Sequence, residues 1–258
     1  MGEPGVTHDV EDFVATVVLR NERRRNAMTL AMWSALADTL EALEPRADVR
    51  VLVLRGAGDR AFVSGADISE FETRRSGTDA VAFYDHEVSR AQTTLQRFSR
   101  PTVAAIGGIC YGGGLGLALA CDLRYAAPGS RFRMPAARLG LGYSLEGLRR
   151  MREVLGTPSA AELFFTADVL GAEEARRVGL VNGLDDDVFA HAAAVAGRIA
   201  SNAPLTLRAA KLAFRALGSD ERDTRDVERA VAACFTSDDY VEGRRAFAEK
   251  RPPRFAGR

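Results

Sequence analysis

The feature that most constrains the fold of this chain is a glycine-rich turn between two apolar segments. Residues 107–114 read Gly-Gly-Ile-Cys-Tyr-Gly-Gly-Gly; they follow the apolar stretch Thr102–Ile106 and precede Leu115–Cys121, a short helix without a polar face. The N–H groups that begin a helix have no partner within it, and glycine lets a ligand approach the backbone closely. The pattern predicts a strand, a turn that can bind an oxyanion or phosphate, and a buried helix. The spacing fits neither a P-loop nor a dinucleotide-binding fingerprint.

Strands and helices alternate over the first part of the chain. The predicted strands are 13–19, 49–54, 102–106 and 123–126, and the main helices between them are 30–43, which Thr29 caps, and 80–98. This alternation predicts an α/β domain with parallel strands. From about residue 157 the pattern changes, and from Val188 onward nearly all of the chain is predicted to be helical, with no further strands. We therefore predict an α/β core at residues 1–200 and a helical region at residues 201–258.

Charge and cysteine content argue against several classes of function. Lys+Arg and Asp+Glu both number 35, so the net charge is zero, and without a strong basic stripe we expect no nucleic-acid partner. We expect no signal peptide and no membrane span, because the polar N-terminus precedes no long apolar run. Cys110, Cys121 and Cys234 lack zinc-ligand spacing, and no metal cluster is visible. Buried, reduced thiols favour the cytoplasm.

A second turn follows another predicted strand. Phe62–Ile68 contains the small residues Ser64, Gly65 and Ala66, and it can present a further backbone donor. Two N–H groups that converge on one thioester oxygen would stabilise an enolate or a tetrahedral oxyanion, by about 3 to 4 kcal/mol per donor. The sequence alone leaves open whether the two turns meet.

Several motifs, in this order and at suitable separations, resemble the signature of the crotonase superfamily, the enoyl-CoA hydratase/isomerase family. The matching segments are Ser64-Gly-Ala-Asp-Ile68, Pro101-Thr-Val-Ala-Ala-Ile-Gly107, Gly112-Gly-Gly114 and Cys121-Asp-Leu-Arg124, with support from Asn26-Ala27, Ala172-Glu-Glu-Ala175, Gly179-Leu-Val181 and Ala246-Phe-Ala-Glu-Lys-Arg251. The resemblance spans almost the whole chain. It implies a spiral of ββα units with a helical C-terminal trimerisation region, in a homotrimer or a dimer of trimers.

The same resemblance implies a ligand and its contacts. The ligand is an acyl-CoA thioester, so CoA is part of the substrate and no separate cofactor is expected. The oxyanion hole would consist of the N–H groups of Ala66 and Gly113. The residues implied in CoA binding are Arg24, Arg25, Ala27, Ser64, Asp67, Ile68 and, from a neighbouring subunit, Lys250. The charged residues among them are equally compatible with simple solvation.

The chain departs from the family pattern at two positions. Family hydratases have one glutamate two residues after the last glycine of the Gly-Gly-Gly run and another twenty residues later, and the pair positions and activates water. The corresponding residues here are Gly116 and Ala136. Neither can transfer a proton, so the usual agents of hydration are missing. Ala136 also argues against isomerases that keep only the second glutamate.

Two other residues are candidates for the chemistry. Tyr143 and Glu146 lie near the start of a predicted helix, in a stretch similar to methylmalonyl-CoA decarboxylases, which carry a tyrosine at the position of Tyr143 but a histidine at that of Ala66. Tyr143 can orient or protonate a substrate, or only line the acyl pocket. Glu146 can act as a base if an apolar pocket raises its pKa, or can simply complement a helix N-terminus.

Three functions remain open at this stage. The first is an enzyme of the enoyl-CoA hydratase/isomerase type, a lyase or isomerase of fatty acid metabolism, that works through a stabilised thioester enolate. The second is a decarboxylase of malonyl-type acyl-CoA, which needs neither missing glutamate. The third is a non-catalytic acyl-CoA-binding protein. We predict the first.

Overall fold

Ten short strands form two sheets in the computed structural model, which describes residues 3–67, 78–218 and 224–258. The strands are β1 (Gly5–Glu11), β2 (Val14–Arg20), β3 (Val51–Gly56), β4 (Ala61–Val63), β5 (Thr102–Ile106), β6 (Ile109–Tyr111), β7 (Leu123–Ala126), β8 (Arg131–Arg133), β9 (Leu170–Gly171) and β10 (Gly183–Leu184). The larger sheet has the order β1-β2-β3-β5-β7-β10, and the smaller sheet has the order β4-β6-β8-β9.

Helices cover the sheets and make up most of the second half of the chain. They are α1 (Leu30–Leu43), α2 (Thr78–Arg97), α3 (Gly113–Ala120), α4 (Leu145–Thr166), α5 (Ala172–Arg177), α6 (Val188–Ala200), α7 (Pro204–Leu217), α8 (Arg225–Phe235) and α9 (Asp238–Glu249). Thr29 caps α1 as predicted, because its Oγ1 accepts a hydrogen bond from Met32 N at 3.2 Å. Gly156, at φ 70°, breaks α4 into two helical segments.

The chain repeats one supersecondary unit three times. β3, β4 and α2 form the first ββα unit, β5, β6 and α3 the second, and β7, β8 and α4 the third. The first strands of the units pair in parallel in the larger sheet, and the second strands pair in parallel in the smaller sheet. The predicted α/β class and the spiral of ββα units are thereby confirmed.

The larger sheet is buried on both faces, which explains why its central strands are continuous apolar runs. One face packs against the main core, whose largest fully buried side chains include Trp33, Phe62 and Phe132. On the other face, three alanines of α6 pack against valines of β3 and β5; these residues are Ala192, Ala196, Ala200, Val51, Val53 and Val103. Small side chains let the helix lie close to the sheet.

Some strands were not predicted from the sequence. β1 was not predicted, because its residues Gly5–Glu11 are mostly polar; it pairs antiparallel with β2 at the edge of the sheet. β9 and β10 were not predicted either, and each contains only two residues. So short a strand shows no periodicity. The predicted boundary near residue 200 falls between α6 and α7, and the division into two domains stays a prediction.

Close contact between α3 and β4 leaves no room for a side chain at the third glycine of the turn. A Cβ atom at Gly114 would lie 2.3 Å from the carbonyl oxygen of Val63 and 2.7 Å from its Cβ. Backbone cannot move aside as a flexible side chain can. The position of the α3 N-terminus relative to β4 therefore depends on glycine at this residue.

We expect Gly114→Ala to destabilise the fold by about 1–3 kcal/mol, the usual cost of overpacking. The measurement is the free energy of unfolding from urea denaturation. Gly129→Ala is the matched control, because a Cβ atom there has no neighbour within 4 Å, and it should leave stability unchanged or slightly higher. Equal unfolding midpoints for the two variants would contradict the packing described here.

Candidate active site

The two predicted turns lie side by side. β4 and β6 are parallel neighbours with Val63 paired to Cys110, so the turns that follow them leave the same end of the smaller sheet. A Cβ atom at Gly112 would lie 3.9 Å from Cα of Gly65, and one at Gly65 would lie 3.7 Å from the carbonyl oxygen of Tyr111. The two turns are thus close neighbours, separated by about the space of one side-chain carbon, which the sequence left open.

Each turn carries a backbone N–H that none of the hydrogen bonds between described residues uses. Met28 N donates to Gly65 O at 2.9 Å and Asp67 N donates to Met28 O at 2.8 Å, so this bridge bypasses the N–H of Ala66. Gly113 is the first residue of α3, where an N–H has no acceptor within the helix. Ala66 and Gly113 therefore provide two donors at adjoining turns.

Five of the predicted CoA-binding residues form one continuous surface beside these turns. Ser64 N donates to Arg25 O at 3.1 Å, and Ser64 Oγ donates to Arg24 O at 3.1 Å. Ala27 N donates to Arg24 O at 3.0 Å. The guanidinium of Arg24, 53% exposed, donates to the buried carboxylate of Asp67 at 2.7 Å. The predicted grouping of these residues is thus consistent with the contacts.

Two further predicted CoA-binding residues are not part of this surface. Ile68 lies outside the described residues. Lys250 is exposed at the end of α9, and no hydrogen bond or ion pair in the described part of the chain joins it to Arg24 or its neighbours. The prediction assigned Lys250 to a neighbouring subunit, and a single chain leaves that contact untested.

Asn26 shapes this surface, a role that its sequence position did not reveal. Its Nδ2 donates to Ala57 O at 2.9 Å and to Ala61 O at 2.7 Å, while its Oδ1 accepts from Asn21 N at 2.9 Å. The residue is buried at φ 56°, and Arg25 before it is also left-handed. Asparagine tolerates that conformation better than most residues. Asn26 therefore ties the segment that carries Arg24 and Arg25 to the ends of β3 and β4.

The two positions that the resemblance matches to family glutamates, Gly116 and Ala136, adjoin the glycine turn. A Cβ atom at Gly116 would lie 2.5 Å from Nε2 of Gln92 on α2, so the Gln92 carboxamide occupies the space next to Gly116. Ala136 is buried and follows Pro135, whose Cδ would lie 3.7 Å from a Cβ atom at Gly112. The sequence missed Gln92, because only the tertiary packing brings α2 against α3.

Tyr143 lies in an apolar environment. Its ring packs edge-on against Phe164 with the centroids 5.4 Å apart. Burial raises the pKa of Tyr143 to about 12, and the nearby Arg150 guanidinium opposes that shift only in part. The phenol is therefore neutral at physiological pH and can donate a hydrogen bond.

Glu146 lies in a charged environment. Its side chain is 48% exposed, and its carboxylate is 3.5 Å from Nε of Arg150 and 4.0 Å from Nε of Arg149. It lines a cavity of about 850 Å³, whose described lining includes neither Ala66 nor Gly113. The apolar pocket required for Glu146 to act as a base is thus absent around it, while its place in the first turn of α4 suits a helix N-terminus.

Among the described residues, no group of three or more His, Cys, Asp and Glu side chains is arranged to hold a metal ion. Within the same residues, no helix combines the length and apolar character that a membrane span requires.

The chain is similar to proteins of one family over nearly its whole length. Residues 9–258 match the family model described as enoyl-CoA hydratase/isomerase. A crotonyl-CoA hydratase from Syntrophomonas wolfei is 31% identical, with 99% of both chains covered. A short-chain-enoyl-CoA hydratase from Clostridium acetobutylicum is 32% identical, with 93% of both chains covered.

Solved structures of similar proteins have the same fold and a comparable sequence identity to this chain. An enoyl-CoA hydratase/carnithine racemase from Magnetospirillum magneticum superposes with a TM-score of 0.93 at 35% identity, covering 98% of this chain and 96% of that one. An enoyl-CoA hydratase from Bacillus anthracis superposes with a TM-score of 0.92 at 31% identity, covering 98% and 99%.

We expect Tyr143 to ionise with a pKa of about 12, because its buried phenolate would lose hydration. The measurement is the phenolate absorbance of the wild type minus that of Tyr143→Phe, titrated with pH. At pH 11 the difference should still be small, whereas an ordinary tyrosine, with a pKa of about 10, would be about nine-tenths ionised. Circular dichroism at each pH confirms that the chain is folded. A midpoint near 10 in the folded protein would contradict this environment.

Proposed function

This chain belongs to the enoyl-CoA hydratase/isomerase family, and we propose that it acts on an acyl-CoA thioester by stabilising its enolate in an oxyanion hole of two backbone N–H groups, those of Ala66 and Gly113. The observation that carries the proposal is the closeness of the two turns, each with an unused donor. An enolate places negative charge on the thioester oxygen, and two fixed donors favour that charged state over the neutral thioester.

The surroundings of Gly113 strengthen this effect. α3 is buried from Gly114 to Ala120, and its N-terminal end carries the positive end of the helix dipole. Fixed dipoles in an apolar environment interact with an oxyanion more strongly than water-exposed groups do. The hole therefore needs no charged side chain to hold the oxygen.

We propose that proton transfer in this enzyme does not use the usual pair of glutamates. Gly116 and Ala136 take their places, and neither residue has an ionisable group. Tyr143 is a neutral donor that can orient the acyl group or return a proton to carbon. Glu146 as a base stays a prediction, and its contacts with two arginines favour the charge-stabilised carboxylate instead.

We propose that the CoA moiety binds along the surface formed by Arg24, Arg25, Ala27, Ser64 and Asp67. The half-exposed guanidinium of Arg24 offers positive charge to a phosphate, while Asp67 holds it in place. Lys250 of a neighbouring subunit would add a second cation. A trimer or a dimer of trimers is supported by the exposed large apolar side chains of the last three helices, which are Phe214, Leu217, Val231, Phe235, Val241 and Phe247.

We expect Gly113→Pro to reduce turnover by about 10²- to 10³-fold, because proline lacks the N–H that one half of the hole requires. Proline is well tolerated at the first position of a helix, so the fold should survive. The measurement is steady-state hydration of crotonyl-CoA together with carbon dioxide release from malonyl-CoA. The affinity for butyryl-CoA should change much less than turnover.

Gly113→Ala is the matched control, since it also places a Cβ atom near the ring of Trp33, 2.9 Å from Cζ2, but keeps the N–H. It should retain most of the activity that proline removes. Equal losses in both variants would assign the effect to Trp33 and reject the oxyanion hole. A wild type that binds butyryl-CoA but turns over neither substrate would instead identify a non-catalytic acyl-CoA-binding protein.

We expect Arg24→Gln to weaken binding of butyryl-CoA by about three- to tenfold and to leave binding of butyryl-pantetheine, which has no phosphate, unchanged. Calorimetric titration at low and moderate ionic strength measures both, and the difference should shrink as salt screens the charge. Arg46→Gln is the control, because Arg46 is likewise paired to an aspartate, Asp48, but at the end of α1. If Arg24→Gln weakened the binding of butyryl-CoA and butyryl-pantetheine to a similar extent, Arg24 would not be a phosphate-binding residue.

A further inference from the structure

The side of Gly116 where the family has a carboxylate is occupied by an amide. A Cβ atom at Gly116 would lie 2.5 Å from Nε2 of Gln92, 3.1 Å from its Cδ and 3.3 Å from its Oε1. Glycine at this position therefore admits a side chain from α2 into the space that a longer residue of α3 would fill. The amide nitrogen is the atom of Gln92 nearest to that space.

Arg150 fixes which way this amide points. Its Nη1 donates to Oε1 of Gln92 at 3.4 Å, and since a guanidinium has no acceptor atom, the carboxamide oxygen must face it. Arg150 is only 4% exposed, and α2 also holds it through Gln96 Oε1 at 2.8 Å and Thr93 Oγ1 at 3.4 Å. The amide nitrogen of Gln92 is thereby directed towards Gly116, and none of the hydrogen bonds in the described ranges uses it.

The groups next to Gly116 are therefore a donor and a cation. The Gln92 amide can donate but cannot remove a proton, and the buried Arg150 adds positive potential behind it. The Gln92 amide disfavours a purely apolar group beside it, because its nitrogen would lose water without gaining an acceptor. It favours a ligand oxygen with free lone pairs, and more strongly one with negative charge.

We propose that Gln92 is a specificity-determining residue whose amide nitrogen donates a hydrogen bond to an oxygen on C3 of the acyl group. Gly116 follows Gly113 by three residues in α3, a rise of about 4.5 Å along the helix, so the Gln92 amide lies near the proposed oxyanion hole, where an oxygen on C3 can reach it. The inference rests on the proposed acyl-CoA site. The proposed hydrogen bond from Gln92 selects thioesters that already carry oxygen at C3. That oxygen belongs either to a carbonyl, as in 3-oxoacyl-CoA, or to a carboxylate, as in malonyl-CoA.

The experiment compares ligands matched in chain length. We expect the wild type to bind acetoacetyl-CoA more tightly than butyryl-CoA, and Gln92→Leu to reduce that ratio about three- to tenfold, which corresponds to one hydrogen bond. The affinity for butyryl-CoA should stay the same or rise. The pair malonyl-CoA and propionyl-CoA, measured in the same way, distinguishes a carboxylate from a carbonyl as the preferred group.

Gln96→Leu is the matched control, because Gln96 also accepts from Arg150 but does not lie over Gly116. It should leave both affinity ratios unchanged. The role of Gln92 would be overturned if Gln92→Leu did not alter the affinity ratios, or if both variants lowered them equally. Neither outcome would contradict the acyl-CoA site. A wild type that binds none of the four thioesters would overturn the proposed function itself.

Discussion

The parallel pairing of β4 with β6 is the interaction on which the site depends. Each strand has only three residues, yet their shared direction makes the turns at 64–66 and 111–113 leave the sheet together. The glycines allow the turns to touch, since a side chain at Gly114 would meet the backbone of β4. The catalytic proposal thus follows from backbone geometry, and side chains near the hole can change without removing it.

The sequence predicted the larger sheet better than the smaller one. Residues 51–54 and 103–106 are apolar runs, because α6 and the main core bury both faces of these central strands, and such runs are visible without a structure. β4, β6 and β8 are too short to show a period of two. The motifs nevertheless led to Ala66 and Gly113 through the resemblance to the family, and the role of these residues as an oxyanion hole stays a prediction.

Tertiary contacts explain what the sequence could not predict about the site. Glu146 is next to a predicted apolar stretch, but one helical turn brings Arg150 to its carboxylate and leaves it half-exposed. Gln92 is separated from Gly116 by the end of α2, the two strands β5 and β6 and the glycine turn, and no local pattern marks it. The i,i+4 ion pair of Glu146 and Arg150 follows a local rule that can be applied to the sequence alone. No such local rule predicts the approach of α2 to α3.

The replacement of carboxylates by donors changes which charge the site can tolerate. Two glutamates next to an oxyanion would repel an anionic acyl group, whereas a buried guanidinium, an amide nitrogen and a neutral phenol attract one. Glu146 offsets part of the charge of Arg150 from the solvent side, so the cation is not left unpaired in the protein. In the proposed site, groups on α2 and α4 therefore favour an anionic enolate precursor, while the fold and the proposed oxyanion hole stay the same.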